Sequence, residues 1–128
     1  MRSDRIKGRF THNGVLIVPV RVNGFDVQFL VDTGAAYCAV REETASFLGI
    51  NFQPENMISI LPVGKQAVTA ALGSVENFGV GGVKVKNLPT LLLDLPPQIK
   101  VDGVLGMNFL RKFRFCVEPN SAALILRR

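Results

Sequence analysis

The apolar run Phe29-Leu30-Val31 leads directly into Asp32-Thr33-Gly34. A carboxylate that closes a strand is poorly placed for packing and well placed for chemistry at the floor of a cleft. Hydrolysis of a peptide bond without a metal or a covalent nucleophile needs a water that loses a proton as it attacks. It also needs an acid that protonates the carbonyl oxygen, and two carboxylates sharing one proton supply both. Each residue of the tripeptide fits that task. Asp32 brings the carboxylate, Thr33 brings a hydroxyl that can hold the loop through backbone groups, and Gly34 lets the backbone approach where a Cβ would clash. Taken alone, the tripeptide also reads as a turn, with Asp capping the backbone and Gly supplying positive φ.

The number of such carboxylates matters. The chain has a single Asp-Thr-Gly, and the nearest second candidate, Asp102-Gly103, lacks the hydroxyl residue and reads as a turn or surface carboxylate. One chain therefore carries one half of a carboxylate pair, and a two-fold homodimer is the simplest way to complete it.

The elements that must position Asp32 can be traced along the chain. Val15 to Arg21 reads as a strand, Asn23-Gly24 as a two-residue hairpin turn, and Phe25 to Val31 as the return strand. That return strand alternates at first and then becomes wholly apolar, so its far end enters the core and delivers Asp32 there. Ala35 to Val40 reads as a short buried strand, and Arg41 to Leu48 as a short helix with Glu42 and Glu43 in its first turn and Gly49 at its stop. Pro54 to Gly73 has the pattern of a hairpin with a Gly-containing tip at Pro62-Val63-Gly64-Lys65. Val75 to Val85 reads as a hairpin turning at Gly81-Gly82, and Thr90 to Leu93 as a separate buried strand. Val101 to Gly106 follows as a short strand, Met107 to Lys112 as a short helix, and Phe113 to Leu126 as a closing hairpin.

Composition sets the outer bounds. A chain of 128 residues that is 48% hydrophobic, with 12 Gly and 7 Pro, fits one domain with one core, built of short strands and tight turns. The net charge of +5 reads as a mildly basic surface rather than a nucleic-acid interface, because the cations are scattered and no aromatic residues are interleaved with them. With one histidine, His12, and no close cysteine pair, no metal site or cofactor is expected. Cys38 and Cys116 both lie in apolar, strand-like context and read as two buried, reduced thiols. No apolar stretch is long enough to span a membrane, and Met1-Arg2-Ser3-Asp4-Arg5 leads into no signal-peptide core. The expectation is a cytoplasmic chain, or the soluble domain of a longer anchored protein.

Two segments carry a family resemblance. Phe29-Leu30-Val31-Asp32-Thr33-Gly34-Ala35 and Gly103-Val104-Leu105-Gly106-Met107-Asn108-Phe109-Leu110 are similar to the two signature segments of retropepsin-like aspartic peptidases. The order of elements matches as well, over residues 14 to 126. The resemblance implies a mainly β, single-lobe acid-protease fold, spanning 1–128 as a single domain. That fold is a closed barrel with one or two short helices and a flap hairpin. It implies an aspartic endopeptidase, active as a homodimer on a peptide or protein substrate, with Asp32 catalytic and Thr33 making cross-dimer hydrogen bonds. Gly34 and Ala35 would line the cleft floor and Val104 a side-chain pocket, with Leu61, Val63 and Gly64 in the flap. Asn108 stands where many cellular relatives have Asp and retroviral forms have Asn. A chain can also keep such a fold and serve only as a catalytically silent dimerisation or peptide-binding module.

Overall fold

The computed structural model describes residues 2–60, 68–94, 98 and 100–128. The expected flap tip, with Leu61, Val63 and Gly64, lies outside the described residues.

The chain opens with β1 (Ser3–Lys7) and β2 (Arg9–Phe10), followed by the hairpin β3 (Leu16–Val22) and β4 (Phe25–Val31). The turn between them is the expected Asn23-Gly24 pair, with φ of 49° and 88°. Both values lie in the left-handed region that suits a tight hairpin. Next come β5 (Cys38–Arg41), α1 (Glu42–Phe47), β6 (Phe52–Ile60), β7 (Val68–Val80) and β8 (Val83–Leu93). The chain closes with β9 (Gly103–Leu105), α2 (Met107–Leu110), β10 (Arg114–Glu118) and β11 (Ala123–Arg127).

The larger sheet runs in the order β2-β3-β4-β9-β5-β8-β7-β6, and an added β3–β7 pairing closes it into a barrel. Six strands, β3, β4, β9, β5, β8 and β7, form the closed circuit. Its interior is filled by alternate residues, among them Val18, Val20 and Val22 of β3, Val27 and Phe29 of β4, and Phe78, Leu105 and Phe109. Three of these, Phe29, Phe78 and Phe109, form a chain of rings with centroids 5.8 and 5.3 Å apart.

A second apolar cluster covers the barrel's outer surface at β4, β9, β5 and β8. Ala39, Ala70, Leu91 and Val104 are buried there, with Leu30, Ala35 and Tyr37 packed against them. Strands buried on both faces read as unbroken apolar runs. This explains both Phe29-Leu30-Val31 and Leu91-Leu92-Leu93, and the two parallel pairings, β4–β9 and β5–β8, fall in this doubly covered region.

Three expectations need correction. Thr90 to Leu93 is no separate strand. It is the end of β8, which passes through a left-handed residue at Asn87 (φ 54°), a conformation asparagine tolerates. The strand expected from Val101 narrows to Gly103–Leu105 because Asp102 is held by hydrogen bonds to Gln28 instead of continuing the ladder. Finally, only Cys38 is buried; Cys116 is exposed. Phe115 points inward on β10, so its neighbour Cys116 points outward on a two-faced strand.

The chain termini meet in a small sheet of order β1-β11-β10, with Ser3 paired to Arg127 and Lys7 to Ala123. Leu124 and Leu126 of β11 anchor this sheet on the barrel core.

Candidate active site

The site is built where two strand ends meet. β4 and β9 run parallel, with Phe29 beside Gly103, Leu30 beside Val104 and Val31 beside Leu105. β9 also pairs antiparallel with β5, so it lies between the strand that enters the Asp32 loop and the strand that leaves it. The two signature segments, more than 70 residues apart in sequence, are thereby adjacent in the sheet.

The loop is tied down at each step. Asp32 N–H donates to the Leu105 carbonyl at 3.0 Å, and Ala35 N–H donates to the Asp32 carbonyl at 3.2 Å. The Asp32 carboxylate is half-buried, and its Oδ1 accepts the Gly34 N–H at 2.9 Å. That bond fixes one carboxylate oxygen and leaves the other for a further partner. From the far side, Met107 N–H donates to the Ala35 carbonyl at 2.7 Å and Asn108 N–H to the Ala36 carbonyl at 3.0 Å.

Gly106 makes this close crossing possible. A Cβ there would stand 2.4 Å from the Tyr37 carbonyl oxygen and 2.9 Å from that of Ala35. The loop passes directly over this position, so glycine is required for contact rather than for conformational freedom. Gly103, at the start of β9, is equally crowded by the neighbouring strands, with the Ala39 carbonyl oxygen 2.3 Å and the Phe29 ring 2.6 Å from the Cβ position.

Two residues support the loop from behind. Asn108 Oδ1 accepts the Cys38 N–H at 2.7 Å, while Asn108 Nδ2 donates to the Pro89 carbonyl at 2.7 Å. This bridge uses both ends of an amide, and a carboxylate cannot make the second bond. Asn108→Asp is therefore expected to cost about 1–3 kcal/mol of stability, the penalty of leaving a partner unsatisfied. Thermal unfolding of the two proteins at neutral pH checks this, and an unchanged midpoint would remove the bridge from the account. Cys38 is the second support. Its sulfur accepts the Gly106 N–H at 3.3 Å, and burial pushes its thiol from 9.0 up to about 11. The thiol stays protonated and unreactive at ordinary pH. With iodoacetamide at mildly alkaline pH, the native chain is expected to take one label, on Cys116, and a second only on unfolding. Peptide mapping would show which cysteine is labelled.

Thr33 is exposed, and among the described residues it makes no side-chain hydrogen bond. Gly34 is exposed as well, and Ala35 is half-buried against the outer cluster. Val104 is 7% exposed and packs in that same cluster. Asp102 plays a supporting part away from the Asp32 loop. Its carboxylate accepts the Gln28 N–H at 2.8 Å and its carbonyl the Arg41 N–H at 2.9 Å, bracing β4 against the start of α1. Sequence reasoning did not find the roles of Asn108, Cys38 and Tyr37 around Gly106. Their only signal was polar or small residues inside apolar runs. Among the described residues, no group of His, Cys, Asp or Glu could hold a metal ion, and no helix is long and apolar enough to cross a membrane.

An Asp-Thr-Gly loop of this form, on a closed barrel with a glycine crossing beneath the loop, defines a retropepsin-like aspartic protease fold. The chain belongs to the aspartyl protease family, whose model matches residues 18–109. The fold is similar to that of a retropepsin-like aspartic protease from Rickettsia conorii. The identity is 24%, the match covers 98% of this chain and 91% of that one, and the TM-score is 0.71. It is also similar to the retroviral protease-like domain of Ddi1 from Leishmania major, at 18% identity, covering 88% of this chain and 87% of that one, with a TM-score of 0.56. No curated protein matches the chain in sequence.

Proposed function

We propose that this chain is an aspartic endopeptidase that works as a homodimer, hydrolysing peptide bonds with a water activated between two Asp32 carboxylates. The observation that carries the reading is the Asp32 carboxylate itself. It is half-buried at the junction of β4 and β9, with one oxygen held by the Gly34 N–H. Such bracing suits a group that must be aimed, and the chain supplies only one Asp-Thr-Gly.

In the proposed dimer the two-fold axis passes between the Asp32 loops, and exposed Thr33 hydroxyls bond across it. Two carboxylates brought that close repel as like charges, and a proton shared between them relieves the repulsion. The ionised member takes a proton from water as it attacks the scissile carbonyl, and the protonated member donates to the carbonyl oxygen. The tetrahedral intermediate then collapses with proton transfer to the leaving amine. Activity is accordingly greatest at acid to near-neutral pH. Gly34 and Ala35 line the floor and Val104 backs a side-chain pocket. An extended substrate is held partly through strand-like backbone hydrogen bonds.

The test is incubation of the wild-type chain and Asp32→Ala with a peptide library at several pH values, with products read by mass spectrometry. The expected result is cleavage by the wild type alone, with apolar side chains beside the cut. Absence of cleavage from a wild-type protein shown by sedimentation to be a folded dimer would favour the silent peptide-binding reading instead.

A further inference from the structure

An open groove of about 830 Å³ shares no lining residue with the Asp32 loop. It lies between β1, the β3–β4 turn and the β7–β8 hairpin. Strands advance about 3.3 Å per residue, so the turn at Gly24 and the carboxylate of Asp32 are separated by roughly 25 Å along β4. The groove is a different surface from the proposed active site.

Its charge is one-sided. Arg5, Lys7, Arg21, Lys84 and Lys86 line it, and Asp26 is the one acid among the lining residues. Arg21 is paired with Asp26 and Arg5 with Glu118, but among the described residues Lys7, Lys84 and Lys86 have no carboxylate within ion-pair distance. Lys84 and Lys86 alternate along β8 and so face the same way, both exposed. Between the cations the apolar surface of the groove comes from exposed Pro19 and half-buried Val85, with Ile6, Val20 and Phe78 buried beneath them. The net charge of +5, which reads in sequence as scattered surface cations, is in three dimensions largely gathered here.

We propose that this groove docks an acidic, extended polypeptide segment. Three observations favour that occupant. Exposed lysines without carboxylate partners, Lys86 donating only to the neutral Asn77 Oδ1, stand beside Pro19 and Val85 and complement alternating acidic and small apolar side chains. Among the described residues β1 pairs on one side, with β11, so a strand bordering the groove has an edge open there to backbone hydrogen bonding. The one aromatic ring among the described lining residues, Phe78, is 1% exposed, so these residues offer no stacking surface of the kind single-stranded nucleic acid uses. A second copy of this chain would bring like charges together in a two-fold contact here.

The test is fluorescence anisotropy with the full chain and a labelled peptide of alternating Glu and Ala. The probes for comparison are its Gln counterpart and an oligothymidylate of matched charge. Binding of the Glu peptide is expected to exceed that of both comparison probes at a salt concentration of about 0.15 M. Lys84→Glu/Lys86→Glu is expected to weaken it at least about tenfold, and the milder pair Lys7→Gln/Lys84→Gln to weaken it in the same direction. Arg111→Glu/Lys112→Glu, an equal charge reversal on exposed residues outside the groove, should change it little. Equal losses from the two reversals would show attraction to net charge alone and overturn the proposal. Tighter binding of the oligothymidylate, or no binding of the Glu peptide, would overturn it as well.

Discussion

Asp32→Asn is expected to lower the rate of peptide cleavage by at least about 10⁴-fold, the upper end of what general acid–base groups contribute. The loss should be this large because the substitution removes both members of the pair in a symmetric dimer. It should also appear in kcat rather than in KM, since the carboxylates act on the water and the scissile carbonyl rather than on the substrate's side chains. The fold should survive. Asparagine keeps an oxygen where Asp32 Oδ1 accepts the Gly34 N–H at 2.9 Å, and the main-chain bonds to Leu105 and Ala35 do not involve the side chain. Steady-state kinetics together with thermal unfolding separate these effects. A variant that unfolds at the wild-type temperature yet cleaves at near wild-type rate would remove Asp32 from the chemistry.

The second large effect falls on stability. Gly106→Ala is expected to destabilise the chain by at least about 3 kcal/mol, the top of the usual range for overpacking. The added Cβ meets backbone on two sides, at the Tyr37 and Ala35 carbonyls, and neither can rotate away as a side chain would. For a chain of this size that corresponds to a fall in unfolding temperature of roughly 10 °C. Gly14→Ala is the contrast. Unlike Gly106, whose φ is −102°, it has to accept a positive φ, 82°, but nothing lies within 4 Å of its Cβ position, so its cost should stay near about 1 kcal/mol. Comparable losses at the two positions would mean that the close crossing of the Asp32 loop does not make Gly106 necessary.

Much of this arrangement was legible in the residues because local chemistry and tertiary packing agree. The Asn23-Gly24 turn needs its two left-handed residues whatever surrounds it, so the β3–β4 hairpin could be placed from sequence. The apolar run before Asp32 marks a strand end that enters the core, and there Phe29 is buried inside the barrel while Leu30 packs half-buried against the outer cluster. The structure failed to follow sequence pattern where long-range contacts decide. Asn87 looks like a break between two strands, but pairing with β7 carries β8 through it as one. Cys116 sits in an apolar context, yet β10 lies at the edge of a small sheet and turns that side chain to solvent. Asn108 could be recognised as a departure from Asp, but its bridge to Cys38 and Pro89 depends on partners 70 and 19 residues away. The gathering of cations into one groove likewise depends on β1 lying beside the β7–β8 hairpin, which no stretch of sequence states.

The central claim is that each chain holds half of a catalytic site, and mixing tests it most directly. Wild-type chain and Asp32→Asn are combined in equal amounts, allowed to exchange subunits, and assayed at constant total protein. If both carboxylates of a pair are needed, only dimers with two wild-type chains cleave. Activity then falls to about a quarter of the wild-type value, the square of the active fraction in a two-fold dimer. Activity of about half, linear in the wild-type fraction, would show that a single chain is sufficient and would contradict the account.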